Sequence, residues 1–373
     1  MIKMRNITDT KTESLKRAAE YRKSILDKPP LKSLFLELTS RCNLSCLHCG
    51  SDCGSGAAKI TELSTDQYKK ILYDVKREFD ISKLMLNITG GEPLIRSDFF
   101  EIMDYANRLG YIWGMTSNGT LIDGSVAEKL YKSGMRTISI SIDGLEKTHD
   151  ELRGRSGSYT AAMKGIAALI EHGKFEHIQV TTVVNHKSIR ELPDMFDIFK
   201  NMDITSWRIA NIEPIGRART LSDLLLNKDD FKYLMDFITE KRLSGYPVTY
   251  GCCHYLGLKY EALVRDWYFR CNAGIYVASI MSNGDIGACL DIERRPELIQ
   301  GNVLKDDLKD VWDNRFEIFR RDLSDKNPAC RQCGSREFCR GDSSSERALP
   351  ERVFIMLWLI FTASSPLTLI IAM

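Results

Sequence analysis

Cys42, Cys46 and Cys49 stand at the spacing C-x3-C-x2-C in the run Cys42-Asn43-Leu44-Ser45-Cys46-Leu47-His48-Cys49. Thiolates this close together bind metal, and cubane iron–sulfur clusters are held by cysteine thiolates. Three cysteines can ligate three of the four irons of such a cluster. The fourth iron then stays open to a substrate, which a cluster needs if it is to do more than pass electrons. The spacing also suits zinc, with Cys53 or His48 as a fourth ligand. Spacing alone leaves both metals open.

Four further segments carry polar groups at close spacing. Thr89-Gly90-Gly91-Glu92-Pro93 reads as a turn whose glycines let backbone approach a ligand closely. Thr116-Ser117-Asn118-Gly119-Thr120 offers short hydrogen-bonding groups suited to a ribose or a carboxylate, and equally suited to a helix cap or Asx turn. Ser139-Ile140-Ser141-Ile142-Asp143-Gly144 is followed by Thr148-His149-Asp150 and Arg153, whose donor fork matches a carboxylate. On the bland reading Asp143 is an N-cap and His149 a packed surface residue. Glu213-Pro214-Ile215-Gly216-Arg217-Ala218 reads as a turn with a solvated arginine.

The elements that must position these groups alternate. Strand patterns at Leu34–Leu38, Lys83–Ile88, Tyr111–Thr116, Thr137–Ile142, His177–Val184 and Ser206–Ile209 are separated by helical patterns such as Thr65–Phe79, Asp98–Leu109, Ser125–Ser133, Tyr159–His172 and Ile189–Asn201. Six βα units predict a parallel sheet, and six are too few for a closed eightfold barrel. The expected fold is α/β, a partial (β/α)6 TIM-like barrel spanning residues 32–212. A polar helical segment, 1–31, precedes it and a helical bridge, 213–250, follows. Residues 251–349 carry short strand and turn signals, including the hairpin candidate Ser282-Asn283-Gly284-Asp285. Each polar segment falls just after a strand, where parallel α/β folds gather their active sites.

Together the segments resemble the radical S-adenosylmethionine (radical SAM) superfamily, in the branch that carries a C-terminal SPASM/twitch extension. The resemblance covers about residues 32–342. It implies a [4Fe–4S] cluster on Cys42, Cys46 and Cys49, with S-adenosylmethionine (SAM) at the open iron. It further implies that Gly90, Gly91 and Glu92 receive the SAM amino group, that Ser117 and Asn118 contact SAM, and that Ser141 and Arg153 hold its carboxylate. The implied reaction is reductive cleavage of SAM to methionine and a 5′-deoxyadenosyl radical, which abstracts hydrogen from an unreactive C–H bond. The implied class is an oxidoreductase that matures a peptide or protein, in one subgroup a small lipoprotein. Maturation of a haem-like small molecule is the runner-up, and a non-catalytic Fe–S carrier or a zinc protein the alternative of another class. An electron donor such as flavodoxin or ferredoxin is implied as a partner.

The second cysteine group is Cys252, Cys253, Cys271, Cys289, Cys330, Cys333 and Cys339. Its pattern resembles the SPASM/twitch extension, which implies one auxiliary [4Fe–4S] cluster on Cys271, Cys289, Cys330 and Cys333. Cys339 is then spare, or a ligand of an incomplete second site. Ser343 stands where a full SPASM pattern continues with cysteine.

Acidic and basic residues nearly balance at a net charge of +2, which gives no electrostatic footprint for nucleic acid. The N-terminus lacks an apolar signal core, so reduced thiols and a cytoplasmic setting are expected. Residues 353–373 contain no charge and are long enough for one transmembrane helix. The tail 350–373 is therefore read as a membrane anchor or an aberrant terminus, with a buried helix as the third reading.

Overall fold

A computed structural model describes residues 2–54, 60–251, 254–266, 269, 271–322, 324 and 328–341, without the side chains of residues 2–12, 258 and 329. Helix α1 (Ile2–Ser24) leads into β1 (Ser33–Glu37). There follow α2 (Thr65–Glu78), β2 (Met85–Thr89), α3 (Phe99–Leu109), β3 (Ile112–Ser117), α4 (Gly124–Lys132) and β4 (Met135–Ser141). The series continues with α5 (Glu146–Arg153), α6 (Ser158–His172), β5 (His177–Val184), α7 (Leu192–Phe199) and β6 (Ser206–Asn211). All six expected strands form, and neighbours pair in parallel from β1 to β6.

Local sequence explains the elements. Ser64 and Gln67 close a capping box on α2, and Gly110 ends α3 in the left-handed region at φ 91°. The strands alternate. Leu34, Leu36, Leu86, Ile88, Ile138, Ile140, Val180 and Ile209 are buried and pack with the helices in one core. The intervening residues face the opposite side, the lumen of the partial barrel. That lumen is largely polar, with Phe35, Met85 and Ala210 as apolar members. Ser139 Oγ and Thr181 Oγ1 are 2.7 Å apart, Gln179 Nε2 donates to Ser206 Oγ at 3.0 Å, and Asn87 Nδ2 donates to Ser33 Oγ at 2.8 Å.

Residues 213–250 hold α8 (Lys228–Leu243), as a helical bridge should, but they end on a seventh parallel strand, β7 (Val248–Tyr250), paired with β6. Three residues are too few to announce a strand by alternation. Beyond α9 (Gly257–Val264), the C-terminal unit contributes β8 (Val277–Ile280), β9 (Asp285–Gly287), β10 (Gly301–Asn302) and α10 (Leu308–Asn314). The expected turn joins β8 to β9, with Gly284 at φ 90°. Strand β8 pairs in parallel with β1, on the edge opposite β2, so one sheet runs β10-β9-β8-β1-β2-β3-β4-β5-β6-β7. Trp312 Nε1 donates to the Pro29 carbonyl at 2.9 Å, and the Glu37–Arg294 ion pair closes the same junction from the other end of β1. The fold is thus an α/β partial barrel with a C-terminal α+β unit on its first strand.

The expected membrane association is corrected. No helix among the described residues is long and apolar enough to cross a membrane. Helix α1 has the length but is rich in charge. Residues 353–373, on which the expectation rested, lie outside the described residues, as do Cys252 and Cys253.

Candidate active site at the carboxyl ends of the strands

The cysteine loop leaves the carboxyl end of β1 and is held from several sides. Glu62 accepts from Thr39 Oγ1 at 2.6 Å and from Ser40 N at 2.8 Å, fixing the loop entrance. Gly54 N donates to the Ser40 carbonyl at 3.0 Å and closes the loop. From α5, the Leu152 and Arg153 carbonyls accept from Leu47 N at 2.8 Å and Ser45 N at 3.1 Å. From beyond β6, Arg217 clasps the loop, its Nε donating to the Cys46 carbonyl at 2.7 Å and its Nη1 to the Cys53 carbonyl at 2.7 Å. The solvated arginine of the bland reading is therefore a structural clasp. Gly216 makes this approach possible: it sits at φ 56°, and a Cβ there would lie 2.3 Å from the Cys49 carbonyl oxygen.

Each of the three sulfurs receives an N–H donor. Leu44 N reaches Cys42 Sγ at 3.4 Å, Arg153 Nη1 reaches Cys46 Sγ at 3.7 Å, and Cys53 N reaches Cys49 Sγ at 3.3 Å. Burial pushes the Cys42 thiol up to about 11 and raises Cys46 as well, whereas donation from Cys53 holds Cys49 down at about 5. Cys53 is buried beside the loop, and the hydrogen bond between its own thiol and that of Cys49 raises it.

The Gly90-Gly91-Glu92 segment lies against the loop. Gly91 N and Glu92 N donate to the Thr39 and Arg41 carbonyls at 2.8 and 2.9 Å. A Cβ on Gly91 would lie 2.0 Å from the Arg41 carbonyl oxygen, so only glycine fits this approach. An ammonium group only donates, so what the segment can offer it is carbonyl oxygen. Glu92 is fully buried, and its carboxylate accepts from Asn118 N at 2.8 Å and Ser117 Oγ at 3.0 Å. Burial pushes it up to about 7. Asn118 in turn donates to Asn43 Oδ1 at 2.8 Å, inside the cysteine loop. The second, third and fourth polar segments of the sequence thus converge on the first.

Ser141 ends β4 on the lumen face, level with Thr181. Arg153 is buried at the end of α5, its Nη2 2.5 Å from Asp143 Oδ2. Asp143 is not an N-cap: the cap of α5 is Leu145, and Asp143 is a wholly buried anion that also meets His48 Nε2 at 2.9 Å. His149 is buried too, its Nδ1 accepting from Asp143 N at 3.2 Å. Asp143, read as an N-cap, His48, read as a fourth ligand to zinc, and Arg217, read as solvated, are the site residues whose part the sequence reading missed. The alternation of β4 placed Asp143 at a strand end, but no spacing rule pairs it with a loop far back in the chain.

Of the second cysteine group, Cys271 precedes β8 and Cys289 follows β9, each half-buried. Cys330 and Cys333 share a turn closed by Cys333 N donating to the Cys330 carbonyl at 3.2 Å, and Cys339 ends a short helix, Arg336–Cys339.

The radical SAM superfamily model matches residues 36–199. Over 338 residues the chain is 32% identical to the mycofactocin maturase MftC of Mycolicibacterium smegmatis, covering 89% of this chain and 82% of that protein. The chain belongs to the radical SAM superfamily. A second family, the SPASM iron–sulfur cluster-binding domain, matches residues 271–334. The AdoMet-dependent heme synthase of Methanosarcina barkeri is 28% identical over 326 residues, covering 82% of this chain and 89% of that one. Among solved structures, Streptococcus suis SuiB bound to its precursor peptide SuiA superposes with a TM-score of 0.68 at 22% identity, over 87% of this chain and 75% of that one. This radical SAM enzyme therefore carries a SAM-binding iron–sulfur core and a SPASM/twitch unit, and the carrier and zinc-protein readings fall away.

The site fits that group. Among the described residues no three His, Cys, Asp or Glu side chains converge on one metal ion. A cubane asks for something different: one thiolate per iron, each stabilised by N–H donors, and the loop provides that. Cys42, Cys46 and Cys49 would be its ligands. Buried next to them, Arg153 Nε, His48 Nδ1 and Asp143 Oδ2 make no hydrogen bond, so this corner has polar capacity to spare for a polar ligand.

Proposed function

We propose that this radical SAM enzyme modifies a peptide or protein. Cys42, Cys46 and Cys49 hold the [4Fe–4S] cluster that, with SAM bound, supplies a 5′-deoxyadenosyl radical. Gly90, Gly91 and Glu92 shape the pocket for the SAM amino group, Ser117 and Asn118 line it, and Ser141 and Arg153 face the carboxylate. Cys271, Cys289, Cys330 and Cys333 hold one auxiliary [4Fe–4S] cluster. The SPASM match supports this set, since it begins at Cys271 and ends just past Cys333, leaving Cys339 outside. A flavodoxin- or ferredoxin-like protein donates the electron.

The observation that carries the substrate class is the polar lumen. Asn87, Ser139, Gln179, Thr181 and Ser206 offer hydroxyl and amide groups that can pair with a peptide backbone. A haem-like macrocycle asks for apolar walls instead. The likeness to MftC and to peptide-bound SuiB points the same way. Similarity to heme synthases keeps a haem-related substrate as the second reading.

Reconstituted, reduced protein incubated with SAM releases 5′-deoxyadenosine, and Cys46→Ala abolishes that release while leaving the auxiliary cluster's signal. No release, with zinc in place of iron on elemental analysis, sinks the assignment of this cluster. The substrate is tested with the product of any short reading frame beside this gene, against an iron porphyrin precursor: enhanced SAM turnover with the porphyrin alone rejects the peptide reading.

A further inference from the structure

Asp143 joins three elements through one carboxylate. Its Oδ1 accepts from Val183 N at 2.9 Å, on the neighbouring strand. Its Oδ2 lies 2.5 Å from Arg153 Nη2, on α5, and 2.9 Å from His48 Nε2, in the cysteine loop. A buried anion is costly unless paired, and here two partners share it. These two contacts are ion pairs by distance, and Asp143 Oδ2 makes no hydrogen bond of good geometry. Arg153 Nη1 lies 3.7 Å from Cys46 Sγ, and its Nε is buried with no partner. His48 Nδ1 is likewise buried and unpartnered.

We infer that Asp143 and His48 are positioning residues for SAM. Asp143 pairs as an anion with the Nη2 end of the Arg153 fork and so fixes the orientation of the guanidinium. That leaves Nε as the unpartnered donor for an anion beside Cys46, next to the Nη1 that donates to Cys46 Sγ. His48 ties the same carboxylate to the loop that carries the cluster, so that loop and arginine keep one mutual orientation. The inference rests on the reading of this pocket as the SAM site.

The test is SAM titration of the full-length, cluster-reconstituted, reduced chain. It is read by equilibrium dialysis and by the change SAM causes in the electron paramagnetic resonance of the reduced cluster. The parent protein is the control: if it does not bind SAM, the reading of the site fails, and not this inference. Asp143→Asn should keep the parent's iron content, weaken SAM binding about tenfold or more and blunt the spectral change. Arg153→Lys should do the same, and the double variant should lose no more than either single one, because Asp143 acts through Arg153. His48→Gln, whose amide still donates, should retain more affinity than His48→Leu. Parent-like SAM affinity in Asp143→Asn overturns the proposal, as does an additive loss in the double variant. Reduced iron in Asp143→Asn also overturns it, because the carboxylate would then be a prop of the loop.

Discussion

At the residue scale, burial decides which groups keep their protons. His149 is buried, and desolvation together with the Arg153 cation lowers it to about 4. In the unfolded chain it titrates near the ordinary histidine value of about 6.5. Between those values the unfolded chain binds a proton that the folded chain refuses. Stability therefore falls as pH falls through this window, by roughly 2 kcal/mol at pH 5 and roughly 3 kcal/mol once the window is crossed. Glu92 acts with the opposite sign: raised to about 7, it favours the fold in acid and that contribution is lost as pH rises through 7. Urea unfolding at pH 7 and pH 5 should show a smaller pH-dependent loss in His149→Gln than in the parent, and equal losses refute the assignment. The residues legible in the sequence were those with local spacing, the three cysteines, Gly90-Gly91-Glu92 and the Ser141 to Arg153 stretch. His48 with Asp143, and Arg217 with Cys46, meet across long sequence separations, and no local pattern encodes the partner.

At the element scale, the loops after the strands are seated by backbone contact more than by side chains. Gly216 and Gly245 make a controlled comparison, since both have positive φ, but only at Gly216 would a Cβ collide, with the Cys49 carbonyl at 2.3 Å. Alanine at Gly245 should cost about 1 kcal/mol from backbone strain alone. Alanine at Gly216 should cost at least about 1–2 kcal/mol more and lower the iron taken up per chain. Thermal melts and iron analysis of the two variants check this, and equal costs would show that the loop yields freely. The strands themselves were readable because they run five to eight residues, and all but β3 largely alternate. Strands β7 and β8, at three and four residues, are too short for that signal and exist because a longer neighbour templates them.

At the scale of the whole molecule, the shared sheet should make the partial barrel and the C-terminal unit one cooperative body. Strand β1 is paired on both edges, its amino end is met by Trp312 and its carboxyl end by Arg294. Denaturation followed by tryptophan fluorescence and by far-UV circular dichroism should give coincident curves with a single transition, and two separated transitions would contradict the coupling. The double pairing of β1 also has a consequence for biosynthesis. Ser33 leaves the ribosome early, whereas its partner Val277 is among the later residues made. At roughly 5–20 residues per second, one edge of an apolar strand stays bare on the nascent chain for on the order of ten seconds or more. A bare strand edge recruits other chains. Chaperone demand and yield on expression should therefore be set by how long that first strand waits for its last neighbour, and slowed translation between the two halves should lower yield even where the finished protein is stable.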